Sequence, residues 1–275
     1  MALADNSDEE FQPKALTLCL ETCSGGFMAV SFAKTDIGKK RQLNQDFVFS
    51  TDEAIGSLKN LYMVADGMGG HNAGDYASKY TVETVIEEIK NSTESKTFRI
   101  IGKAIRVANE RLRARAKEKA ELRGMGTTAV VATIEDHQLQ IANVGDSRLY
   151  ILNPEGIRQI TRDHSLVEEM VRMGGMTEET ARNHPDKNII TRAVGARDSV
   201  EVDFFTEELK ENDLVLMCSD GLTNMLTDED IYRICSLDIT LDKKAEALID
   251  EANLSGGKDN IAVILIDDFK DNLQS

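Results

Sequence analysis

The chain has 275 residues, 41% of them hydrophobic and 29% charged, enough apolar content for a sizeable core without disulfide staples. Its formal net charge of −16, from 32 basic and 48 acidic residues, repels nucleic-acid phosphates and argues against a nucleic-acid partner. Any phosphate group it binds therefore needs a local positive field, from a metal ion or an arginine.

Residues 1–27 open with Asp5, Asp8, Glu9 and Glu10, unlike the basic start of a secretion signal, and carry no sustained period. We expect a flexible N-terminal extension there, a single domain over 28–268 and a short tail over 269–275. The four cysteines, Cys19, Cys23, Cys218 and Cys235, have no zinc-site or disulfide spacing, which fits reduced thiols in the cytoplasm. The longest apolar runs, such as 261–266, are far too short to cross a bilayer.

From residue 28 the pattern mixes strands and helices. Strands are predicted over 28–34, 46–50 and 61–65, the last a fully apolar run ending at Asp66. Val82, Val85, Ile86 and Ile89 share one helical face, and Ile101, Ile105, Ala108 and Leu112 share another. A polar loop over 91–96 predicts that these two helices are antiparallel. Strands over 127–134, 138–144, 148–152 and 157–161 with short turns between them predict a meander. Residues 164–195 read as a helical and irregular insertion. Further strands are expected over 200–205, 213–218 and 261–266, with helices over 228–235 and 241–253. Thr227 is the expected N-cap of the first of these helices, with acidic residues in the turn that follows. Strand runs kept apart from helix pairs give an α+β class, two packed antiparallel sheets with helices outside.

Aspartates stand where the apolar strands end, beside glycines: Asp46, Asp66-Gly67, Asp146, Asp220-Gly221 and Asp259. Converging carboxylates cannot all stay ionised unaided, and a hard divalent cation bound through oxygen, Mg²⁺ or Mn²⁺, relieves the repulsion. Each Asp-Gly alone is also an ordinary turn dipeptide. Spacing by itself leaves a metal site and a set of turns about equally supported.

Seven blocks in order decide between them: RQLNQD at 41–46, VADGMGGHNAGDYAS at 64–78, GTT at 126–128, NVGDSR at 143–148, RDHS at 162–165, SDGLTNML at 219–226 and GGKDNI at 256–261. Together they resemble the metal-dependent protein serine/threonine phosphatases of the PP2C-like (PPM) family in its bacterial form. That resemblance implies a four-layer αββα sandwich and two core Mn²⁺ or Mg²⁺ ions. Asp66 matches the bridging carboxylate and Gly67 a carbonyl ligand. Asp220 and Asp259 match ligands of the first ion, and Asp46 a holder of metal-bound water. Asp146 with Asp220 matches a third-metal site. Arg41 matches the arginine that grips the substrate phosphate.

The resemblance further implies attack by activated water without a covalent phosphoenzyme. Met68 stands where eukaryotic relatives carry a proton-donating histidine; His71 and metal-bound water are the alternative donors. His164 is read as structural, His137 and His184 as solvated loop residues, and 165–192 as a flap. The implied partners are phosphorylated proteins, including a serine/threonine kinase and its substrates, acted on by a monomer. Two other readings stand beside this one: a phosphatase of small esters, and a metal-free binding module.

Overall fold

The computed structural model describes residues 29–70, 73–182 and 184–269, with only the backbone of Glu178 and Arg182. His71, Cys19, Cys23, the extension and all but Phe269 of the tail lie outside the described residues. Strands β1 (Val30–Asp36), β2 (Asp46–Thr51) and β3 (Leu61–Met68) lead into α1 (Ala73–Lys90) and α2 (Thr97–Glu118). After a 3-10 turn at Ala120–Leu122 come β4 (Gly126–Thr127), β5 (Ala129–Glu135), β6 (Gln138–Val144), β7 (Arg148–Asn153) and β8 (Gly156–Gln159). The insertion carries α3 (Leu166–Arg172) and α4 (Glu178–Arg182). The chain then forms β9 (Asp203–Glu208), β10 (Leu214–Cys218), α5 (Asp220–Thr223), α6 (Asp228–Cys235), α7 (Leu241–Leu254) and β11 (Ile261–Asp267).

Two antiparallel sheets result. The first runs β1-β11-β10-β7-β8; the second runs β2-β3-β5-β6-β9, with β4 also on β3. Because side chains alternate between faces, the central strands that are covered on both sides, such as β3 and β10, are apolar on both faces. In β3, Tyr62 and Val64 face the other sheet, while Leu61, Met63 and Ala65 pack on Val82, Val85 and Ile105 of α1 and α2. In β10, Val215 and Met217 join the inter-sheet core, while Leu216 and Cys218 pack against Ile231, Ala245 and Leu248 of α6 and α7. Each strand thus serves two cores, and the layers read helices, sheet, sheet, helices. Helices α1 and α2 are antiparallel as expected: Arg111 pairs with Glu87, and Arg115, further along, lies over the earlier Tyr80 ring. Thr227 closes a capping box with Asp230 at the start of α6.

Four expectations need correction. The predicted meander is divided between the sheets: β5 and β6 belong to one, β7 and β8 to the other, and the chain crosses at residues 145–147. The single strand predicted over 127–134 is two, β4 and β5, because the chain breaks at Thr128, whose N–H donates to the Asp66 carbonyl. The strand expected over 200–205 is β9, three residues later. Val200 and Val202 pack from the loop instead, and Phe205, opposite Ile141, enters the inter-sheet core. This is an edge strand, so it tolerates Glu207, which pairs with Arg158. His137 is also more than a solvated loop residue. Its Nδ1 lies 2.6 Å from Asp268 Oδ2, and its ring stacks on Phe269, tying the β5–β6 turn to the end of β11.

Among the described residues no helix is long and apolar enough to cross a membrane.

Candidate metal centre

One edge of the sandwich collects the aspartates, and strand register does it. Asp46 begins β2 directly opposite Asp66 on β3, so both carboxylates leave the same face. Cys218 pairs with Val263 and with Arg148, which brings the segments just outside β10, β11 and β7 to the same end. Those segments hold Asp220, Asp259 and Asp146. The crossing between sheets that the sequence did not reveal is therefore what brings Asp146 to the site.

Hydrogen bonds fix this edge. Ser219 Oγ donates to Asp46 Oδ2 at 2.6 Å and accepts from the Ala262 N–H at 2.9 Å. The Asp66 N–H donates to Thr128 Oγ1, and the Asp66 carbonyl accepts from Thr127 Oγ1, both at 2.9 Å. Thr128 Oγ1 in turn lies 2.7 Å from Ser147 Oγ, next to Asp146. His164 Nδ1 accepts from the Gly145 N–H at 3.0 Å, which leaves the proton on Nε2, facing Asp203 at 3.1 Å. The structural reading of His164 holds: it anchors both the Asp146 turn and the base of the insertion. The glycines have a different reason from turn geometry. Neither Gly67 nor Gly221 has a positive φ. A Cβ on Gly67 would lie 2.0 Å from the Gly74 carbonyl oxygen, and one on Gly221 1.8 Å from that of Asn260. Backbone contact at the site admits only glycine at these two positions.

The carboxylates are under strong electrostatic pressure. Burial, and then the Asp220 and Asp259 charges, push Asp46 up to about 7 against the opposing Ser219 hydrogen bond. Burial and then Asp259 push Asp220 up to about 6. Asp66 and Asp146 are also held well above the usual carboxylate range, first by burial, then by Asp46 and Asp220 for Asp66 and by Asp220 and Asp163 for Asp146. Asp220 Oδ2 accepts from Asn224 Nδ2, but its buried Oδ1 has no hydrogen-bond partner. Arg41, on the rim and 47% exposed, donates from Nη2 to Asp259 Oδ2 at 2.7 Å.

This donor set fits a hard divalent cation: oxygen only, crowded with like charge, and with an orphaned carboxylate oxygen. Among the described residues no three His, Cys, Asp or Glu side chains form a ready-made cage around one point. Mg²⁺ and Mn²⁺ do not require one, because such ions take one or two protein carboxylates and keep several waters.

A protein-family model described as protein phosphatase 2C matches residues 34–261. The chain belongs to the protein phosphatase 2C family. A serine/threonine phosphatase stp of Listeria innocua is 42% identical over 240 residues, covering 85% of this chain and 94% of its own. The S. agalactiae serine/threonine phosphatase structure superposes with a TM-score of 0.79 at 39% identity, covering 86% of this chain and 98% of that one. The catalytic domain of the serine threonine protein phosphatase PstP in complex with two manganese ions superposes at 0.77 with 30% identity, covering 87% and 98%.

Within this phosphatase 2C chain, Asp46, Asp66, Asp146, Asp220 and Asp259 come together and Arg41 stands on their rim. Ser219, Thr127, Thr128 and Asn260 were quoted in motif blocks without a role. Ser219 and Asn260 adjoin Asp220 and Asp259 in the chain, which was the available signal; Thr127 and Thr128 adjoin no aspartate and reach Asp66 only through the fold.

The raised carboxylates set the pH dependence of stability. With metal chelated, the folded state holds protons that the unfolded chain releases above about pH 4. That contribution is full below the unfolded value and is lost as pH rises through about 6 to 7, the folded values of Asp220 and Asp46. In chelator, Tm should therefore fall by roughly 10 °C between about pH 5 and about pH 8. Excess Mn²⁺ should reverse most of the fall, and Asp46→Asn should flatten it. A chelated protein whose Tm is flat or rising over that window would show that the carboxylates are not crowded in solution.

Proposed function

We propose that this phosphatase hydrolyses phosphoserine and phosphothreonine in proteins at the Asp46–Asp66–Asp146–Asp220–Asp259 edge, with two core ions, Mn²⁺ or Mg²⁺, and a third weaker one near Asp146. The observation that carries the reading is the convergence of five aspartates from both sheets beside one rim arginine. Divalent ions bound there neutralise the clustered charge and acidify water for attack on phosphorus. The chain's own residues do the rest. Asp66, Asp220 and Asp259 are the assigned ligands with the Gly67 carbonyl, and Asp46, fixed by Ser219, positions water. Arg41 offers a planar fork to phosphate oxygens, which lysine does not reproduce. No thiol nucleophile is needed: burial pushes the Cys218 thiol far up and the Cys235 thiol to about 12. His71 stays a candidate proton donor, with metal-bound water the other. We assign residues 28–268 as the catalytic domain of a cytoplasmic monomer whose substrates include a serine/threonine kinase and that kinase's targets.

The test is steady-state hydrolysis of a phosphothreonine peptide. Turnover should require Mn²⁺ or Mg²⁺ and stop in chelator; metal-independent turnover would reject the site. Arg41→Ala should lower kcat/KM on the order of a hundredfold, through lost capture and orientation, while metal titration stays close to wild type. Unchanged kinetics would remove Arg41 from phosphate binding, and lost metal binding would make it a support for Asp259.

A further inference from the structure

We propose that the loop at residues 37–43, with the neighbouring turn at Lys258, reads a second anionic group on the substrate, a carboxylate or another phosphate a few residues from the phosphoester. This rests on the phosphatase reading above and adds a specificity to it.

The observation is a concentration of positive charge in the wrong place for a solubilising surface. The protein carries −16 overall, yet Lys39, Lys40 and Arg41 are consecutive and exposed, and Lys258 is exposed beside them. Lys34 and Lys243 pair with Glu246, while other exposed lysines such as Lys59, Lys103 and Lys119 also lack a carboxylate partner among the described residues; what sets this group apart is its place beside Arg41 and Asp259. Arg41 pairs with Asp259, but Lys39, Lys40 and Lys258 have no carboxylate partner among the described residues.

The loop is also held in place. The Asn260 carboxamide donates from Nδ2 to the carbonyls of Ile37 and Leu43, both at 2.9 Å, and its Oδ1 accepts from the Gln45 N–H. The backbone N–H groups of Lys39 and Lys40 both donate to the Gly257 carbonyl, at 2.8 and 3.1 Å, which fixes them against the residue preceding Lys258. Asn260 directly follows Asp259, the partner of Arg41. The three unpaired ammonium groups are therefore carried on a pinned rim that is continuous with the metal edge.

Chemistry narrows what that rim selects. The net charge repels acidic peptides in general, and these lysines are the basic groups that stand beside Arg41, so an anionic flank next to the phosphoester gains here. Lysine is a flexible point charge, which tolerates variable spacing better than an arginine fork. Lys39 and Lys40 lie within two residues of Arg41, and an extended peptide covers about 3.5 Å per residue, so the flank sits roughly one to three residues from the phosphoresidue. Three exposed pairs, each weak, together predict a roughly five- to tenfold preference that salt erodes.

The experiment measures kcat/KM on three peptides that share one phosphothreonine core. One has a neutral flank, one a glutamate flank and one a second phosphothreonine. Wild type should prefer one or both anionic flanks by roughly five- to tenfold at about 50 mM salt and lose the preference at about 500 mM. Lys39→Gln/Lys40→Gln/Lys258→Gln should turn over all three peptides alike. A preference confined to the second phosphate assigns the loop to multiply phosphorylated segments; one shared by glutamate assigns it to acidic segments. Equal wild-type rates on all three peptides, a preference insensitive to salt, or one that survives in the triple variant overturns the proposal and leaves the phosphatase reading intact. Failure of wild type to cleave the neutral peptide with Mn²⁺ present would instead remove the phosphatase reading, and this proposal with it.

Discussion

Asp66→Asn should lower turnover on a phosphothreonine peptide on the order of a thousandfold and leave the fold intact. The side chain faces like charge on several sides, from Asp46, Asp220, Asp146 and Asp259. A carboxamide removes one negative charge and most of the capacity to share an ion. The backbone contacts of residue 66, with Thr127 and Thr128, do not involve the substituted group. In chelator the variant should melt at or above the wild-type temperature, because a crowded charge has been deleted. With saturating Mn²⁺ the order should reverse, since wild type gains binding energy that the variant lacks. Kinetics over a Mn²⁺ titration, with melting curves from the same preparation, decide the matter. Near-wild-type turnover at any metal concentration would remove Asp66 from the centre of the site.

Arg148→Ala should cause the largest loss of stability, about 3–5 kcal/mol, or a Tm lower by roughly 10 °C. Arg148 begins β7 behind Asp146 and grips Asp163 as a fork. Its Nε reaches both carboxylate oxygens at 3.0 Å, its Nη2 reaches Oδ2 at 2.7 Å, and its Nη1 donates to the Tyr150 hydroxyl at 2.9 Å. Removing the guanidinium leaves Asp163 largely buried, with Gln159 Nε2 the one donor left to it among the described residues and Asp146 close enough to repel it. Arg148→Lys should recover part of the loss, because a point charge cannot fill two acceptor directions. Adding Asp163→Asn to Arg148→Ala should recover more, by removing the stranded charge. Thermal melts of the three variants test this, and an Arg148→Ala protein melting within about 2 °C of wild type would show that the pair adds little.

The elements that were legible in the sequence are those whose signal is local. The 3.6-residue spacing of Val82, Val85 and Ile89 marked α1, and Thr227 marked the start of α6 through its own capping geometry. The apolar runs at 61–65, 214–218 and 261–266 marked strands buried on both faces. The start of β9 was misread because Val200 and Val202 look like strand residues in isolation. Only pairing with β6 makes Phe205 the inward position. The site was legible as chemistry and motif: aspartates at strand ends, then seven ordered blocks.

By itself the sequence determined the aspartates, their placement at strand ends and the family to which the chain belongs, because residue type and short-range spacing are written in the chain. Which aspartates meet was decided by the tertiary structure. Asp46 faces Asp66 through β2–β3 register, and Asp146 arrives only because the chain leaves one sheet for the other at Gly145. The pressure on these carboxylates, the orphaned Asp220 oxygen and the unpaired lysines of the rim are likewise tertiary properties. Burial and charge–charge distance depend on contacts between residues far apart in the chain, and no local pattern encodes them.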